Sequence, residues 1–396
     1  MAGPKHVIVG NGIAGVTAAR SITRAEPNAE VHIFGSEPYP YYRRPRLWEF
    51  LAGEIEQREL YFRPAPWYSE RGIQLHMAER VTALSPTDHQ LTLSSGDRVG
   101  YDRLLLATGG RSFVPPFEGV DRRGVFALRS LDDAQAMKTH AEGCRSAAVI
   151  GGGLLGLETA RALACLGMKV TVIEFMPRLL PRQLDTEGAQ VLQTQLEAGG
   201  LHILTGAETE AIVGNECAAG VRLKDGQVVD GELVLVSTGI HSRAELARDA
   251  GLETDRGVIV DQQLRTSADD VYAAGDAAEF AGIVYGIIPA AAAQAKVAAA
   301  NMLAHGSASY TGTVPSNTLK VVGIDLTAAG IVVPEGDEFV EIRRSVPEAG
   351  IYKKLVLKGD TLVGAIVIGD RALATQLERM ATRKTRLSHE QESALI

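Results

Sequence analysis

A glycine pattern that occurs twice constrains the fold of this chain more than any other feature. The pattern is G-x-G-x-x-G, and its residues are Gly10, Gly12, Ala14 and Gly15 in the first copy and Gly151, Gly153 and Gly156 in the second. Each copy follows a short β-branched run and precedes an alanine- and leucine-rich stretch. In a strand–turn–helix unit, such glycines permit a tight turn, approach of the backbone to a pyrophosphate, and close packing of helix on strand. Two copies predict two dinucleotide sites whose ligands exchange electrons.

Composition excludes several function classes. The 396 residues predict two or three domains rather than one core. A net charge of −8 argues against nucleic-acid binding, which needs a basic surface. No apolar run approaches the about 18 residues of a membrane span, and the first predicted strand begins too close to Met1 for a signal peptide.

The spacing of the cysteines predicts a protein whose thiols are reduced. Cys144, Cys165 and Cys217 form no close pair. We therefore expect no disulfide redox centre and no metal site. Inert thiols are consistent with a cytoplasmic location.

The first glycine unit departs from the usual pattern at the end of its second strand. We predict strands over 6–10 and 30–34 and a helix over 12–25. An acid commonly ends the second strand and binds the adenosine ribose, but here that position is Gly35. We predict that Glu37 makes the ribose contact, with a backbone contact as the alternative.

Residues 38–47 follow this strand and are rich in proline, tyrosine and arginine. The prolines predict a segment that is not helical. Arginine fits phosphate groups and aromatic rings suit flat ligands. We favour a ligand-binding loop over the alternative, a solvated surface loop.

The second glycine unit retains the ribose-binding acid. Its second predicted strand, 169–173, is followed by Glu174, at the expected distance of about 20 residues from Gly151. A carboxylate here accepts the hydrogen bonds of a ribose diol and repels a 2′-phosphate, which predicts NADH rather than NADPH. The alternative is a solvated acid at a strand end.

Three further strand ends carry candidate ligand-binding residues. Two predicted strands end in Thr-Gly and a third in Gly-Asp, and these residues are Thr108, Gly109, Thr238, Gly239, Gly275 and Asp276. Ligands bind at the carboxyl ends of parallel strands. Downstream, Pro289 opens an alanine-rich helix, whose small side chains leave room for a ligand or simply allow close packing.

In this order, the two glycine units, both Thr-Gly strand ends and Ala274-Gly-Asp resemble the flavoproteins of the pyridine nucleotide-disulfide reductase superfamily. The resemblance covers essentially the full chain. It implies an α/β fold with two Rossmann-like three-layer dinucleotide-binding domains, as in glutathione reductase, and a small C-terminal α+β domain. The implied FAD domain is discontinuous (1–113 and 240–313), and the NAD domain (114–239) precedes the C-terminal domain (314–396).

Two segments, 40–47 and 315–325, look like those of NADH:rubredoxin oxidoreductases and of the flavoprotein part of NADH-dependent nitrite reductase. The resemblance implies FAD and NADH as cofactors. Besides Thr108 and Gly109 on the FAD side and Gly239 on the NAD side, it implies FAD contacts from Arg44, Val81 (through its backbone), Arg129 and Asp276. It also places Glu158 near the junction of nicotinamide and flavin, the alternative being a solvated helix residue.

Departures from related families narrow the implied activity. Disulfide reductases need a cysteine within 39–48, where this chain has tyrosines and arginines. Nitrite reductase would need a cysteine-bearing C-terminal extension, which the sequence to Ile396 does not contain. The expected activity is transfer of a hydride from NADH to FAD, then of single electrons to rubredoxin or a similar small acidic iron–sulfur carrier. The alternatives are an NADH oxidase or diaphorase reducing oxygen or small acceptors, and a non-enzymatic redox sensor.

The densest basic run near the implied flavin predicts where such a carrier docks. It consists of Arg43, Arg44 and Arg46. With Arg44 assigned to FAD, Arg43 and Arg46 are the candidates for contact with an acidic partner. The oligomeric state is not determined by the sequence.

Overall fold

A computed structural model describes residues 3–321 and 324–396, with the side chains of 319–321 left out. Met1, Ala2, Val322 and Gly323 lie outside the described residues. Part of the segment 315–325, on which the resemblance to rubredoxin oxidoreductases depends, is therefore not described.

The described residues form strands and helices throughout the chain. The strands are β1 (Lys5–Val9), β2 (Glu30–Phe34), β3 (Ile73–His76), β4 (Val81–Ser85), β5 (Gln90–Leu93), β6 (Arg98–Gly100), β7 (Arg103–Leu106), β8 (Gly110–Ser112), β9 (Val125–Phe126), β10 (Ser146–Ile150), β11 (Lys169–Glu174), β12 (His202–Thr205), β13 (Thr209–Gly214), β14 (Ala218–Leu223), β15 (Val228–Asp230), β16 (Leu233–Val236), β17 (Ile240–Ser242), β18 (Val258–Val260), β19 (Val271–Ala273), β20 (Ala278–Phe280), β21 (Ser316–Val321), β22 (Ile324–Gly330), β23 (Phe339–Val346), β24 (Ile351–Lys358) and β25 (Thr361–Ile368). The α-helices are α1 (Ile13–Ala25), α2 (Leu47–Leu51), α3 (Gln57–Leu60), α4 (Ala65–Ser69), α5 (Leu131–Ala141), α6 (Leu154–Cys165), α7 (Thr186–Ala198), α8 (Glu245–Asp249), α9 (Ile288–Leu303), α10 (Arg371–Thr382) and α11 (His389–Leu395), with 3-10 turns at Arg44–Arg46, Gly275–Ala277 and Pro347–Ala349.

The chain divides into two compact units. The first comprises Met1–Arg43, Gln57–Arg111 and Ile240–Thr313, and the second comprises Arg44–Glu56, Ser112–Gly239 and Val314–Ile396. Each glycine pattern lies in a different unit. The further division into FAD, NAD and C-terminal domains stays a prediction.

A parallel sheet forms the centre of the first unit. Its strand order is β19-β7-β1-β2-β3. The strands are short β-branched and leucine runs, and Val7, Ile8 and Leu104 are fully buried. From β1 the chain continues to β2 and β3 on one side of the sheet, and β7 then pairs with β1 on the other side. This reversal of strand order places a topological switch point beside the carboxyl end of β1. The first glycine pattern starts at that end.

The second unit repeats this arrangement. Its parallel sheet has the order β12-β11-β10-β16-β9, so that the switch point lies between β10 and β16. A separate antiparallel sheet, β21-β22-β25-β24-β23, packs against α10 and forms the α+β part of the C-terminal segment. The predicted α/β class with two dinucleotide-binding folds is confirmed.

Local structure differs from expectation near two prolines. Residues 38–47 were predicted to be free of helix, but Arg44–Arg46 form a 3-10 turn and α2 begins at Leu47. Pro45 is tolerated because a first helical turn leaves its N–H positions unpaired in any case. Pro289 similarly occupies the second position of α9, one residue later than predicted.

Among the described residues, no helix combines the length and the apolar composition that crossing a bilayer requires.

Candidate dinucleotide-binding sites

In the first glycine turn, two glycines are required by close packing against the backbone, and the third faces open space. Gly10 has φ +120°, and a Cβ there would lie 2.0 Å from the carbonyl oxygen of Ala107. A Cβ on Gly15 would lie 2.0 Å from the carbonyl oxygen of Gly10. A Cβ on Gly12 would meet nothing within 4 Å. The packing of strand on helix therefore requires glycine at positions 10 and 15. Gly12 instead borders open space at the N-terminus of α1, which we call the first glycine cradle.

The second glycine turn has the same geometry. Gly151 has φ +114°, and a Cβ there would lie 2.3 Å from the carbonyl oxygen of Ser237. A Cβ on Gly156 would lie 2.0 Å from the carbonyl oxygen of Gly151, and one on Gly153 would again meet nothing within 4 Å. The agreement at all three positions shows that the repeat in sequence is a repeat in structure.

Both cradles open onto helix N-termini. The N-cap residues are Gly12 for α1 and Gly153 for α6, and no described side chain caps either helix. Each helix therefore presents backbone N–H groups and its positive dipole end to the cradle, which suits a pyrophosphate. The residues present thus fit two dinucleotides.

Glu174 lies at the carboxyl end of β11 beside the second cradle. One carboxylate oxygen accepts a hydrogen bond from the backbone N–H of Gly152 at 2.7 Å, and the other accepts one from the N–H of Met176, also at 2.7 Å. The side chain is buried, which argues against the alternative of a solvated acid. Each oxygen retains a second lone pair for a ligand hydroxyl.

The Gly-Asp strand end lies beside the first glycine turn. A Cβ on Gly275, whose φ is +78°, would lie 3.1 Å from the Cβ of Ala14. The Ser242 hydroxyl donates to the carbonyl oxygen of Asp276 at 2.6 Å, and Gly275 N–H donates to the side-chain oxygen of Gln294 on α9 at 2.8 Å. The structure therefore brings two separately predicted segments, together with Gln294 of α9, to one place.

The other candidate cofactor-binding residues of the first unit lie in separate segments of the chain. The Thr108 hydroxyl donates to the carbonyl oxygen of Arg243 at 2.7 Å, and Gly109 adopts φ +70°. Val81 is buried at the start of β4. Glu37 accepts a hydrogen bond of 2.5 Å from the Tyr42 hydroxyl, which holds the carboxylate in place. The ribose role of Glu37 stays a prediction.

Arg44 and Arg129 lie together in the second unit. The Arg44 guanidinium donates to the carbonyl oxygen of Arg129 at 3.1 Å. Nearby in sequence, Ser130 caps α5 in a reciprocal capping box with Asp133. Gly239 has φ +121°, and its carbonyl oxygen accepts from Phe113 N–H at 2.9 Å, while Thr238 also donates to Phe113. The predicted cofactor roles of these residues are not decided by these contacts.

Glu158 lies on α6, against which α2 packs. Burial, and after it the neighbouring charge of Glu49 on α2, raises the pKa of Glu158 to about 8. Glu49 is held by the Arg46 guanidinium, with N···O distances of 2.5 to 3.0 Å. Glu158 is therefore a half-buried, protonated carboxylic acid at neutral pH rather than a solvated helix residue.

Comparison with family models decides the relationship. Residues 4–328 match the model of the pyridine nucleotide-disulphide oxidoreductases, and residues 315–385 match that of the rubredoxin NAD+ reductase C-terminal domain. The chain belongs to the pyridine nucleotide-disulphide oxidoreductase family. The resemblance inferred from the glycine units and strand ends is confirmed, and FAD and NAD(H) are the cofactors of this family.

Individual members of the family resemble the chain along most of its length. A nitrite reductase [NAD(P)H] from Bacillus subtilis is 38% identical over 98% of this chain and 48% of its own length. An NADH-rubredoxin oxidoreductase from Clostridium acetobutylicum is 30% identical over 96% of this chain and 94% of its own. The crystal structure of a covalent putidaredoxin reductase–putidaredoxin complex matches with a TM-score of 0.90 at 26% identity, covering 100% of this chain and 96% of that one. The chain spans about half the length of several curated relatives that it matches.

Sequence analysis missed several contacts at these sites. Gly152 N–H anchors Glu174, and Gln294 anchors Gly275. Sequence analysis also did not identify Glu49 as a charged neighbour of Glu158. The middle glycine of Gly-Gly-Gly was a usable signal for Gly152, whereas Glu49 and Glu158 are joined only by tertiary packing.

Proposed function

We propose that this chain is an NADH-dependent FAD flavoprotein reductase that delivers electrons to rubredoxin or a similar small iron–sulfur carrier. The observation that carries this proposal is the pair of equivalent glycine cradles, one in each compact unit, each opening onto an uncapped helix N-terminus. A C-terminal segment matching the rubredoxin NAD+ reductase C-terminal domain supports the choice of acceptor.

In this proposal the cradles divide the cofactors between them. When bound, FAD accepts a hydride from NADH and releases electrons one at a time. Gly12 and the first turn of α1 hold the FAD pyrophosphate, while Ala14 and the backbone at Gly275 border it. Gly153 and the first turn of α6 hold the NADH pyrophosphate. One NADH then reduces two one-electron carriers and releases one proton.

Glu174 selects the nicotinamide dinucleotide. Its two oxygens are fixed by backbone N–H groups, so they are aimed before the ligand arrives. They accept the adenosine ribose hydroxyls of NADH, and a 2′-phosphate at the same place would meet a buried negative charge. NADH is therefore the preferred donor.

Glu158 is proposed to border the reacting nicotinamide. As a neutral acid it presents a hydrogen-bond donor and no charge beside the transferred hydride. Glu49 helps to keep the proton on Glu158, because a second carboxylate charge nearby would be repelled. This makes Glu158 a candidate catalytic residue.

The partner is proposed to be small and acidic. Relatives include an NADH-rubredoxin oxidoreductase and a reductase captured with putidaredoxin. A cytoplasmic location belongs to the same proposal and is supported by three cysteines that are all free thiols.

Purification and turnover test the proposal directly. The protein should carry one FAD per chain, and NADH should bleach its flavin absorbance. With NADH, turnover on rubredoxin should exceed turnover on oxygen at least tenfold. A protein that cannot be loaded with FAD would refute the proposal, and faster turnover on oxygen would favour the oxidase alternative.

A further inference from the structure

A group of arginines and aromatic rings lies in the first unit, outside the glycine cradle. We call it the arginine cluster, and it consists of Arg20, Arg43, Phe62, Arg63, Trp67 and Arg71. The guanidinium carbons of Arg43 and Arg63 lie 4.0 and 3.9 Å from the centroid of the same ring, that of Phe62. Arg63 and Arg71 lie 5.1 and 4.8 Å from the ring of Trp67.

Most of the positive charge in the cluster is not neutralised. Glu70 pairs with Arg71 at 3.3 Å, but within the described part of the chain Arg20, Arg43 and Arg63 make no ion pair. Burial, and after it the charges of Arg20, Arg71 and Arg43, lowers the pKa of Arg63, which shows how closely these cations are gathered. Stacking on a ring stabilises a guanidinium without cancelling its charge.

The cluster is held by backbone hydrogen bonds as well as by stacking. The Tyr41 carbonyl oxygen accepts from the N–H groups of Phe62 and Arg63 at 3.0 and 3.1 Å, and Arg43 N–H donates to the Leu60 carbonyl oxygen at 2.9 Å. Arginines held in this way lose little conformational entropy when they bind an anion.

One hydrogen bond connects the residue next to Trp67 to the first glycine turn, and a second joins that residue to Tyr41. Tyr68, which follows Trp67, donates from its hydroxyl to the side-chain oxygen of Asn11 at 2.9 Å. The same hydroxyl accepts from Tyr41 N–H at 3.1 Å. Asn11 lies between Gly10 and Gly12, so a partner bound at the cluster lies on the unit that holds this cradle.

We propose that the arginine cluster is the docking surface for a carboxylate-rich face of the iron–sulfur carrier, an inference that rests on the proposed function. The chain as a whole carries a net charge of −8, so an acidic carrier is repelled unless it meets a local basic surface. Arg46, predicted from sequence to share this role with Arg43, is instead paired with Glu49 in a close ion pair. The docking arginines are Arg43 and Arg63, supported by Arg20 and Arg71.

Charge reversal tests this surface with oxidised rubredoxin as the probe. The variants are Arg43→Glu, Arg63→Glu and Arg20→Glu in the FAD-loaded chain of 396 residues. Arg98→Glu is the matched control. Arg98 is an exposed residue of β6 in the same unit but outside the cluster, so its replacement changes the net charge by the same amount. Binding is measured by calorimetry and reduction by stopped flow, each at low and high salt. Arg20→Glu, an exposed position on α1, serves if Arg63→Glu does not fold.

At low salt the cluster variants should bind rubredoxin about tenfold more weakly than wild type, and the difference should shrink as salt rises. Arg98→Glu should match wild type in binding. Bleaching of the flavin by NADH without carrier should be the same in all variants. If wild type reduces rubredoxin and the cluster variants bind like Arg98→Glu, the docking surface is wrong while the proposed function stands. If wild type neither binds nor reduces rubredoxin, the proposed delivery of electrons to rubredoxin is wrong, and so is the docking surface.

Discussion

Glu174 is held in place by the backbone and is the residue proposed to select NADH. Its carboxylate accepts the N–H groups of Gly152 and Met176, and it is buried at the end of β11. Replacing Glu174→Ala should weaken NADH binding about tenfold or more, since hydrogen bonds to charged groups contribute about 1.5–3 kcal/mol each. Binding of NADPH should weaken less, because the repulsion of its 2′-phosphate is also removed. Titration of FAD-loaded protein with each nucleotide measures both constants.

Glu174→Gln is the informative control for that experiment. The amide keeps the size of the side chain and one acceptor oxygen, but it removes the charge and cannot accept from both N–H groups. The ratio of NADH to NADPH affinity should fall in both variants. A wild-type protein that prefers NADPH would show that Glu174 does not contact the ribose.

Glu158 gives the site an expected pH dependence. Burial, with Glu49 second, raises its pKa to about 8, so the acid is neutral at pH 6–7 and becomes charged as pH rises through about 8. With Glu158 beside the nicotinamide, as proposed, the new carboxylate would stabilise the positive charge that develops on that ring as the hydride leaves, so kcat/KM for NADH should rise across that range. Glu158→Gln mimics the neutral acid and should keep wild-type activity within about threefold at pH 6–7 while losing the inflection.

A second variant separates Glu158 from other titrating groups. Glu49→Gln removes the like charge, so the pKa of Glu158 should decrease and the inflection should move to lower pH. An inflection near pH 8 that persists in Glu158→Gln would assign it to another residue. Dye-coupled initial rates from pH 6 to 9.5 resolve these cases.

The start of α7 is joined to β24 by a buried ionic network. Asp185 caps α7 by accepting from Gly188 N–H at 3.0 Å. The same carboxylate accepts from the Tyr352 hydroxyl at 2.6 Å and from the Lys354 ammonium at 2.9 Å. Lys354 is 1% exposed and also lies 3.3 Å from Glu341. This network fixes the C-terminal sheet to α7 within the second unit.

Removing the cation from this network should be costly. Lys354→Met should reduce the free energy of unfolding by about 3 kcal/mol, because it leaves Asp185 and Glu341 without their buried partner. Tyr352→Phe, which removes one hydrogen bond to a charged group, should cost about 2 kcal/mol. Urea unfolding monitored by circular dichroism measures both.

The pH dependence of the Lys354 effect follows from Asp185. Burial acts to raise the pKa of Asp185, but hydrogen bonds from Tyr352, Gly188 and Lys354 outweigh it and lower the pKa below its usual 3.8. A lowered carboxyl pKa stabilises the fold above pH 3.8 and loses that contribution as pH falls through the folded-state value. The cost of Lys354→Met should therefore be largest near neutral pH and shrink below pH 4. A cost that does not change with pH would indicate lost packing rather than a lost ion pair.

The sequence predicted those elements whose causes are local. Residues 30–34 were predicted as a strand and form β2, and the predicted helix 12–25 corresponds to α1. Short β-branched runs and the glycine turn were sufficient signals in both cases. The Asp185–Lys354 contact joins residues 169 positions apart, and no local pattern marks it. α11 was not predicted either, although Ser388 and Gln391 form a capping box that the sequence contains.

The same distinction applies to the candidate sites. The glycine cradles and the position of Glu174 follow from short-range geometry and were predicted by residue number. The docking surface was predicted as Arg43 and Arg46 because these residues are adjacent in sequence, whereas Arg43 lies with Arg63 on Phe62. Charges that gather through folding, as in the arginine cluster and the Glu49–Glu158 pair, require the tertiary structure.

For the molecule as a whole, the position of the thiols bears on how electrons leave it. All three cysteines lie in the second unit, and none lies in the unit of the first glycine cradle. Cys165 is exposed, whereas Cys144 and Cys217 are half-buried. Burial, and after it the charge of Glu232, raises the pKa of Cys144, and its thiol donates to the His140 carbonyl oxygen at 3.3 Å. A thiol with a raised pKa is a poor nucleophile at neutral pH.

Electron transfer should therefore not depend on any cysteine. The triple variant Cys144→Ser, Cys165→Ser and Cys217→Ser should bind one FAD per chain and reduce rubredoxin with NADH within about twofold of wild type, since the flavin supplies all of the redox chemistry. Circular dichroism and flavin content establish that the variant is folded, and Cys165→Ser alone controls for oxidation of the exposed thiol. A folded, FAD-loaded triple variant whose flavin is reduced by NADH but which fails to reduce rubredoxin would show that a thiol relays the electrons. Recovery of that transfer on restoring one cysteine would then identify the relay.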